Sequence, residues 1–221
     1  MDQKKIEYQC KKFGITDYTI NIDGTIDVTG SVDISDRNLK KLPLKFRTVT
    51  GNFICSHNKL TSLIGSPIKV GGNFNCSNNQ LQSLDGIAKK IELNFDCSDN
   101  VLTTLKNGPK SVGFNYDCSY NKLHNLEGVV KGLQYEFDCS DNLLTTIHGY
   151  PKKVEYFDCS NNQLTTLDDC PRLVRCVFIC ENNIHLKPSI FWYRRFYQIL
   201  CDDYLLIANR REKTIYDILY S

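Results

Sequence analysis

Seven cysteines recur along the chain at a nearly fixed step: Cys55, Cys76, Cys97, Cys118, Cys139, Cys159 and Cys180. The step is 21 residues, with a single 20 between Cys139 and Cys159. The same phrase surrounds each, as in Phe95-Asp96-Cys97-Ser98-Asp99-Asn100-Val101-Leu102. A period of about twenty residues belongs to a solenoid: one unit is too small to bury its own apolar face, so stacked units share a core. Function is then sought on a repeated surface.

Counting from the cysteine assigns each position a task. Two residues before it stand Phe53, Phe74, Phe95, Tyr116, Phe137, Phe157 and Phe178; five and eight after it stand leucines such as Leu102 and Leu105; six before it stands Val70, Ile91 or Val112. Three after it is always asparagine, from Asn58 through Asn79, Asn100, Asn121, Asn142 and Asn162 to Asn183. This is the pattern L-x-L-x-x-N-x-L of leucine-rich repeats, with cysteine in the second leucine slot. The aromatic and the cysteine alternate as a short strand with one face inward. An inward asparagine brings two donors and an acceptor to backbone groups that turn away from that strand. Gly65, Gly86, Gly108, Gly128 and Gly149, with Pro67, Pro109 and Pro151, suit a return arc of turns and extended segments rather than long helices.

The ends depart from the frame. Residues 2–13 read as a short helix, and Tyr18–Ile22 and Thr25–Val28 alternate about Asp23-Gly24 as a hairpin. Ile34 to Leu42 form an irregular first coil with Arg37 in the asparagine slot. Beyond Pro188, residues 189–207 and 211–220 read as two helices closing the far end. The domain organisation is thus an N-terminal cap at 1–30, repeats at 31–186 in about eight coils, and a helical C-terminal cap at 187–221.

Composition narrows the function classes. A net charge of +2 lacks the basic excess of a nucleic-acid binder. Nor does any apolar run approach the roughly 20 residues that span a bilayer. Met1-Asp2-Gln3-Lys4-Lys5 is not a signal peptide, which predicts a cytoplasmic protein with reduced thiols. The column cysteines are then small buried hydrophobes, and no Cys-x-x-Cys pair gathers them for a metal. His57, His124, His148 and His185 lie in no metal or nucleophile motif. Cys201-Asp202-Asp203 is similar to the Cys-x-Asp of bacterial leucine-rich-repeat ubiquitin ligases, yet too little chain follows for their catalytic domain, and a cysteine at a helix cap is the simpler reading. No catalytic residue, cofactor or metal is expected.

The whole chain resembles a group of leucine-rich-repeat proteins encoded by tailed bacteriophages. The resemblance lies in Tyr18-Thr-Ile-Asn-Ile-Asp-Gly24, in Val32-Asp-Ile-Ser, in Leu42-Pro-Leu-Lys-Phe46, and in body repeats such as Cys76 to Val112. The irregular arc Asp168-Asp169-Cys170-Pro171 departs from that pattern. The resemblance implies a phage origin and a leucine-rich-repeat solenoid, an α/β superhelix with short parallel strands on its concave face. It carries over no activity.

In this frame the residues at −3, −1, +1 and +2 from each cysteine point outward on the concave face. The −1 column holds Asp96, Asp117, Asp138 and Asp158; Asp99, Asp141 and Glu136 add to it, with Tyr120, Tyr156 and His57 at its margins. Ile54, Val177 and Ile179 are further candidate anchors. Lysines at Lys69, Lys89, Lys90, Lys110, Lys131, Lys152 and Lys153, with Arg172, occupy the return arc, which predicts a two-sided charge distribution. Stacked aspartates at roughly 5 Å repel by about 1 kcal/mol even in water. A basic patch on a protein partner relieves that repulsion. Tandem duplication alone would equally copy the acid into every coil.

The expected function is non-enzymatic protein binding through the acidic concave face. Given a phage origin, the partner is expected to be a host protein in the host cytoplasm, such as a defence factor. A virion structural or adhesin role is the alternative, a ubiquitin-ligase-like enzyme is a more distant one, and self-association is left open.

Overall fold

The computed structural model describes residues 2–149, 151, 153–167, 171, 173–186, 198–201 and 204–207. The chain enters through helix Gln3–Lys12, capped by the Asp2 carboxylate, which accepts from the Lys4 N–H at 2.8 Å. Ile6 and Cys10 face the core. Tyr18–Ile20 then pairs antiparallel with Ile26–Val28 across the expected Asp23-Gly24 turn. The Asp23 carboxylate fixes that turn by accepting from both the N–H and the hydroxyl of Thr25.

A stack of coils follows, and each coil contributes to a front sheet. Val32–Asp33, Phe53–Ile54, Phe74–Asn75, Phe95–Asp96, Tyr116–Asp117, Glu136–Asp138, Lys153–Asp158 and Leu173–Ile179 pair parallel in that order. The register is one repeat per strand, so Asp96, Asp117, Asp138 and Asp158 are direct neighbours across it.

The return arc is more regular than its glycines and prolines suggest. Ile26–Val28, Phe46–Val49, Lys69–Val70, Lys90–Ile91 and Ser111–Val112 form a second, back sheet of parallel strands. Two residues per coil are enough, because the stacking already brings the neighbouring backbone alongside. The valines at −6 anchor this sheet from inside, and the lysines beside them lie exposed outside.

Between the sheets runs one continuous core. Phe46, Phe53, Phe74, Phe95, Tyr116, Phe137, Phe157 and Phe178 stack with centroids 4.9 to 5.9 Å apart, a spacing favourable for aromatic pairs. Beside them the column cysteines are fully or almost fully buried. Each of Cys76, Cys97, Cys118 and Cys139 donates its thiol to the carbonyl of the aspartate in the next coil, at 3.2 to 3.4 Å. That weak bond is one that leucine in this slot cannot make.

The asparagine column does what its chemistry allows. Asn121 Nδ2 donates to the carbonyls of Cys97, Cys118 and Ser119, while its Oδ1 accepts from the Leu102 N–H. Asn79, Asn100, Asn142 and Asn162 repeat the pattern.

Two expectations are corrected at the far end. Within the segment read as a helix, Gln198–Cys201 continues the front sheet parallel to Leu173–Ile179, and Tyr204–Ile207 pairs back onto it antiparallel. The open edge of the last long strand, with the β-branched and aromatic content of 198–207, outweighs the apolar run that suggested a helix. Cys201 therefore ends a strand and does not cap a helix. The expectations for 187–197 and 208–221 fall outside the described residues. In addition, Cys180 is disulfide-bonded, so the column is not uniformly reduced. Cys55, Cys76, Cys97, Cys118 and Cys139 remain free thiols.

Candidate protein-binding surface

The aspartate column ends each front strand with a turn. Asp117 Oδ1 accepts from the N–H of Ser119 at 2.8 Å and from its hydroxyl at 2.6 Å. Asp96, Asp138 and Asp158 bind Ser98, Ser140 and Ser160 in the same way. These are Asx-type turns, in which a short side chain bonds the backbone two residues on. They pull the +1 serines inward, so Ser98, Ser119 and Ser140 are buried. The expectation that +1 faces outward is therefore wrong. The Asp-x-Ser spacing was the signal for it.

Each turn needs an acceptor but not a charge. Asn75 occupies the same position, and its Oδ1 accepts from the N–H and hydroxyl of Ser77 at 2.9 and 2.8 Å. The negative charge at Asp96, Asp117, Asp138 and Asp158 is thus surplus to the fold.

At Asp117 and Asp138 it is also unfavourable. Burial, together with the neighbouring Asp117 and Asp158, pushes Asp138 up to about 6. Burial also raises Asp117, against its bonds to Ser119, and raises Glu136. The second oxygens differ along the ladder. Asp96 Oδ2 accepts from Asn75 Nδ2 at 3.0 Å, and Glu136 Oε2 accepts from Asn115 Nδ2 at 2.9 Å. Tyr156 reaches Asp158 at 3.5 Å, and burial with that carboxylate pushes the phenol up to about 12. Asp117 and Asp138 Oδ2 have no donor among the described residues.

The +2 column lines one margin. His57, Asn78, Asp99, Tyr120, Asp141, Asn161 and Asn182 all sit in the left-handed region, with φ between 50° and 54°. Asparagine and aspartate tolerate that conformation; tyrosine does so at a cost. His57, Asn78, Asp99, Tyr120, Asp141 and Asn161 flank an open groove of ≈ 870 Å³. Tyr120 is 56% exposed, and the adjacent Asp141 charge raises its phenol.

All ten residues singled out in the sequence thus lie on the front sheet or its turns. The −1 acids with Glu136 and Tyr156 form one strip, and His57, Asp99, Tyr120 and Asp141 form the groove margin. Ile54, Val177 and Ile179 are half-buried at the two ends of the strip. On the back sheet Lys69 and Lys90 pair with Glu92 at 3.5 and 2.7 Å; Lys110 and Lys131 are exposed in the return arc, and Lys153 is exposed at the start of the long front strand Lys153–Asp158. The charge is two-sided as expected.

The sequence reading missed a second margin. Leu93, Phe114 and Tyr135 stand four residues before Cys97, Cys118 and Cys139 and are exposed. Their signal was three apolar residues in successive coils at a position held by Gly51 and Gly72 earlier.

Among the described residues no cluster of His, Cys, Asp and Glu could hold a metal ion, and no helix is long and apolar enough to cross a membrane. The sequence matches no established family and no curated protein. Among solved structures the chain is similar to a Shigella effector leucine-rich-repeat domain, with a TM-score of 0.57 and 21% identity over 83% of this chain and 76% of that one. It is also similar to YopM from Yersinia enterocolitica, with a TM-score of 0.51 and 15% identity over 72% of this chain and 40% of YopM. The chain has the leucine-rich-repeat fold.

Proposed function

We propose that the chain is a non-enzymatic protein-binding solenoid whose acidic front sheet takes a partner bearing a Lys/Arg patch. The observation that carries this is the redundancy of the charge. Asn75 closes the same turn without a carboxylate, while Asp117 and Asp138 keep carboxylates whose pKa values are raised and whose outer oxygens lack a donor among the described residues. A cation on a partner would supply the missing contact and lower both pKa values.

The bacteriophage resemblance supports a host protein as the partner, in the host cytoplasm. The effector domain that shares the fold is consistent with such a role. Affinity capture from host extract with wild-type protein and with Asp96, Asp117 and Asp138 replaced by asparagine tests the reading. One stoichiometric partner should be retained by the wild type, lost by the variant and weakened by salt. Equal retention by both would overturn it.

A further inference from the structure

We infer that the binding surface has two parts: the ledge Leu93, Phe114 and Tyr135 receives apolar side chains of the same protein segment whose Lys or Arg groups meet Asp117 and Asp138. The inference rests on the proposed acidic contact surface and adds its missing apolar half.

The ledge is preformed. Leu93, Phe114 and Tyr135 are 37%, 41% and 37% exposed. The Phe114 and Tyr135 rings stack at 4.7 Å with their planes 20° apart. The Phe114 N–H donates to the Leu93 carbonyl at 3.1 Å, so the backbone ladder holds the row in line. Little side-chain freedom is left to lose when a partner binds there.

The ledge and the acids rise together. In the coils of Cys55 and Cys76 the ledge position is Gly51 and Gly72, and the −1 position is Ile54 and Asn75. In the next three coils Leu93 accompanies Asp96, Phe114 accompanies Asp117, and Tyr135 accompanies Asp138. One coil further on, the ledge becomes Glu155. Duplication copies a whole coil, yet both columns change at the step from the Cys76 coil to the Cys97 coil while the cysteine, serine and asparagine columns stay constant; in the Cys159 coil the acid continues as Asp158 after the ledge has ended. Three residues of chain separate ledge from acid, a span of at most about 10 Å, so one segment reaches both.

Charge selects the occupant. An apolar ledge beside unpartnered carboxylates complements an amphipathic segment with an apolar row and a basic row. A second copy of this chain is the rival occupant, since exposed Ile68 stands next to Lys69 on the back sheet.

Two synthetic peptides test the inference, one amphipathic with leucine and lysine faces and one with every leucine replaced by serine. Titration calorimetry should show wild type binding the leucine–lysine peptide about tenfold more tightly than the serine–lysine one. Phe114→Ser with Tyr135→Ser should abolish that difference and keep the weaker binding, while the loss of one part-exposed stacked pair lowers the melting temperature by only about 2–4 °C and leaves the fold intact by circular dichroism. Equal affinity of wild type for the two peptides, or no effect of the double variant, overturns the ledge. Asp117→Asn with Asp138→Asn should weaken both peptides; binding unchanged there overturns the acidic reading on which the ledge rests. Self-association of the wild type that the ledge variant abolishes assigns the ledge to a second copy and overturns the segment proposed here.

Discussion

Asp138 Oδ1 accepts from the N–H of Ser140 at 2.9 Å and from its hydroxyl at 2.7 Å, so one carboxylate oxygen ends a strand while the other has no donor among the described residues. The bond to Ser140 lowers the carboxyl pKa, but burial and the flanking Asp117 and Asp158 raise it more, up to about 6. The folded state therefore holds this proton more tightly than the unfolded chain, whose carboxyl titrates near 3.8. The resulting stabilisation is fully present below about pH 4 and is lost as pH rises through about 6. Its ceiling is about 3 kcal/mol for a shift of roughly two units, less after solvent screening. Urea midpoints should fall between pH 4.5 and 7, and Asp138→Asn should flatten that slope while keeping the turn, as Asn75 does. An unchanged slope in the variant would place the titrating proton elsewhere.

Asn121 is satisfied on both sides of its amide, with Leu102 donating to Oδ1 and three carbonyls accepting from Nδ2. Asn121→Ala strands those groups in the interior and is expected to cost about 3 kcal/mol or more. Asn121→Asp keeps the acceptor and should be no milder, because the carboxylate meets the carbonyls of Cys97, Cys118 and Ser119. Denaturant unfolding measures both. A loss under about 1 kcal/mol for the alanine variant would mean that water replaces the amide.

The Tyr116 hydroxyl is the reverse case: fully buried between Phe95 and Phe137, it has no hydrogen-bond partner among the described residues. The equivalent position is phenylalanine in the neighbouring coils. Tyr116→Phe should stabilise the protein by about 1 kcal/mol by removing an unsatisfied polar group. A destabilised variant would show that the hydroxyl is bonded after all.

Burial pushes the thiols of Cys76, Cys97, Cys118 and Cys139 far above their ordinary range. Cys176 is exposed. Peptide mapping after brief iodoacetamide treatment of native protein should find Cys176 alkylated and these four intact until denaturant is added, since only the thiolate reacts. Rapid labelling of Cys97 or Cys118 in native protein would contradict a closed core.

What the sequence made legible follows from which interactions repeat. The cysteine period located the front strands, and the asparagine column announced its own hydrogen bonds, because both depend on residue type at fixed spacing. Asp23-Gly24 likewise marked the hairpin. The back sheet left no such mark: Lys69–Val70 and Lys90–Ile91 are strands only because stacking aligns them. The orientation of Ser98 and Ser119 was readable from Asp-x-Ser but hidden by treating each strand as a simple alternation. Gln198–Cys201 lies in an apolar run that suggests a helix, because such a run carries no record of the sheet edge it joins. The Leu93, Phe114 and Tyr135 ledge escaped notice because its column begins with glycines.

Tyr120 is the last case, where local strain meets the candidate site. The column it belongs to holds His57, Asn78, Asp99, Asp141, Asn161 and Asn182, all with positive φ. Tyr120 places the largest side chain of the column there, at φ 51° and 56% exposed. An exposed ring offers the core little, so the strain is not offset by burial. Strain retained at an exposed position beside Asp99 and Asp141 is what a contact residue shows. Tyr120→Asn should therefore raise stability by about 0.5–1 kcal/mol, because asparagine adopts the left-handed region more readily. The same substitution should weaken binding of the leucine–lysine peptide, since a ring flanked by carboxylates attracts a cation to its face. A variant that is more stable and binds equally well would leave Tyr120 outside the contact surface.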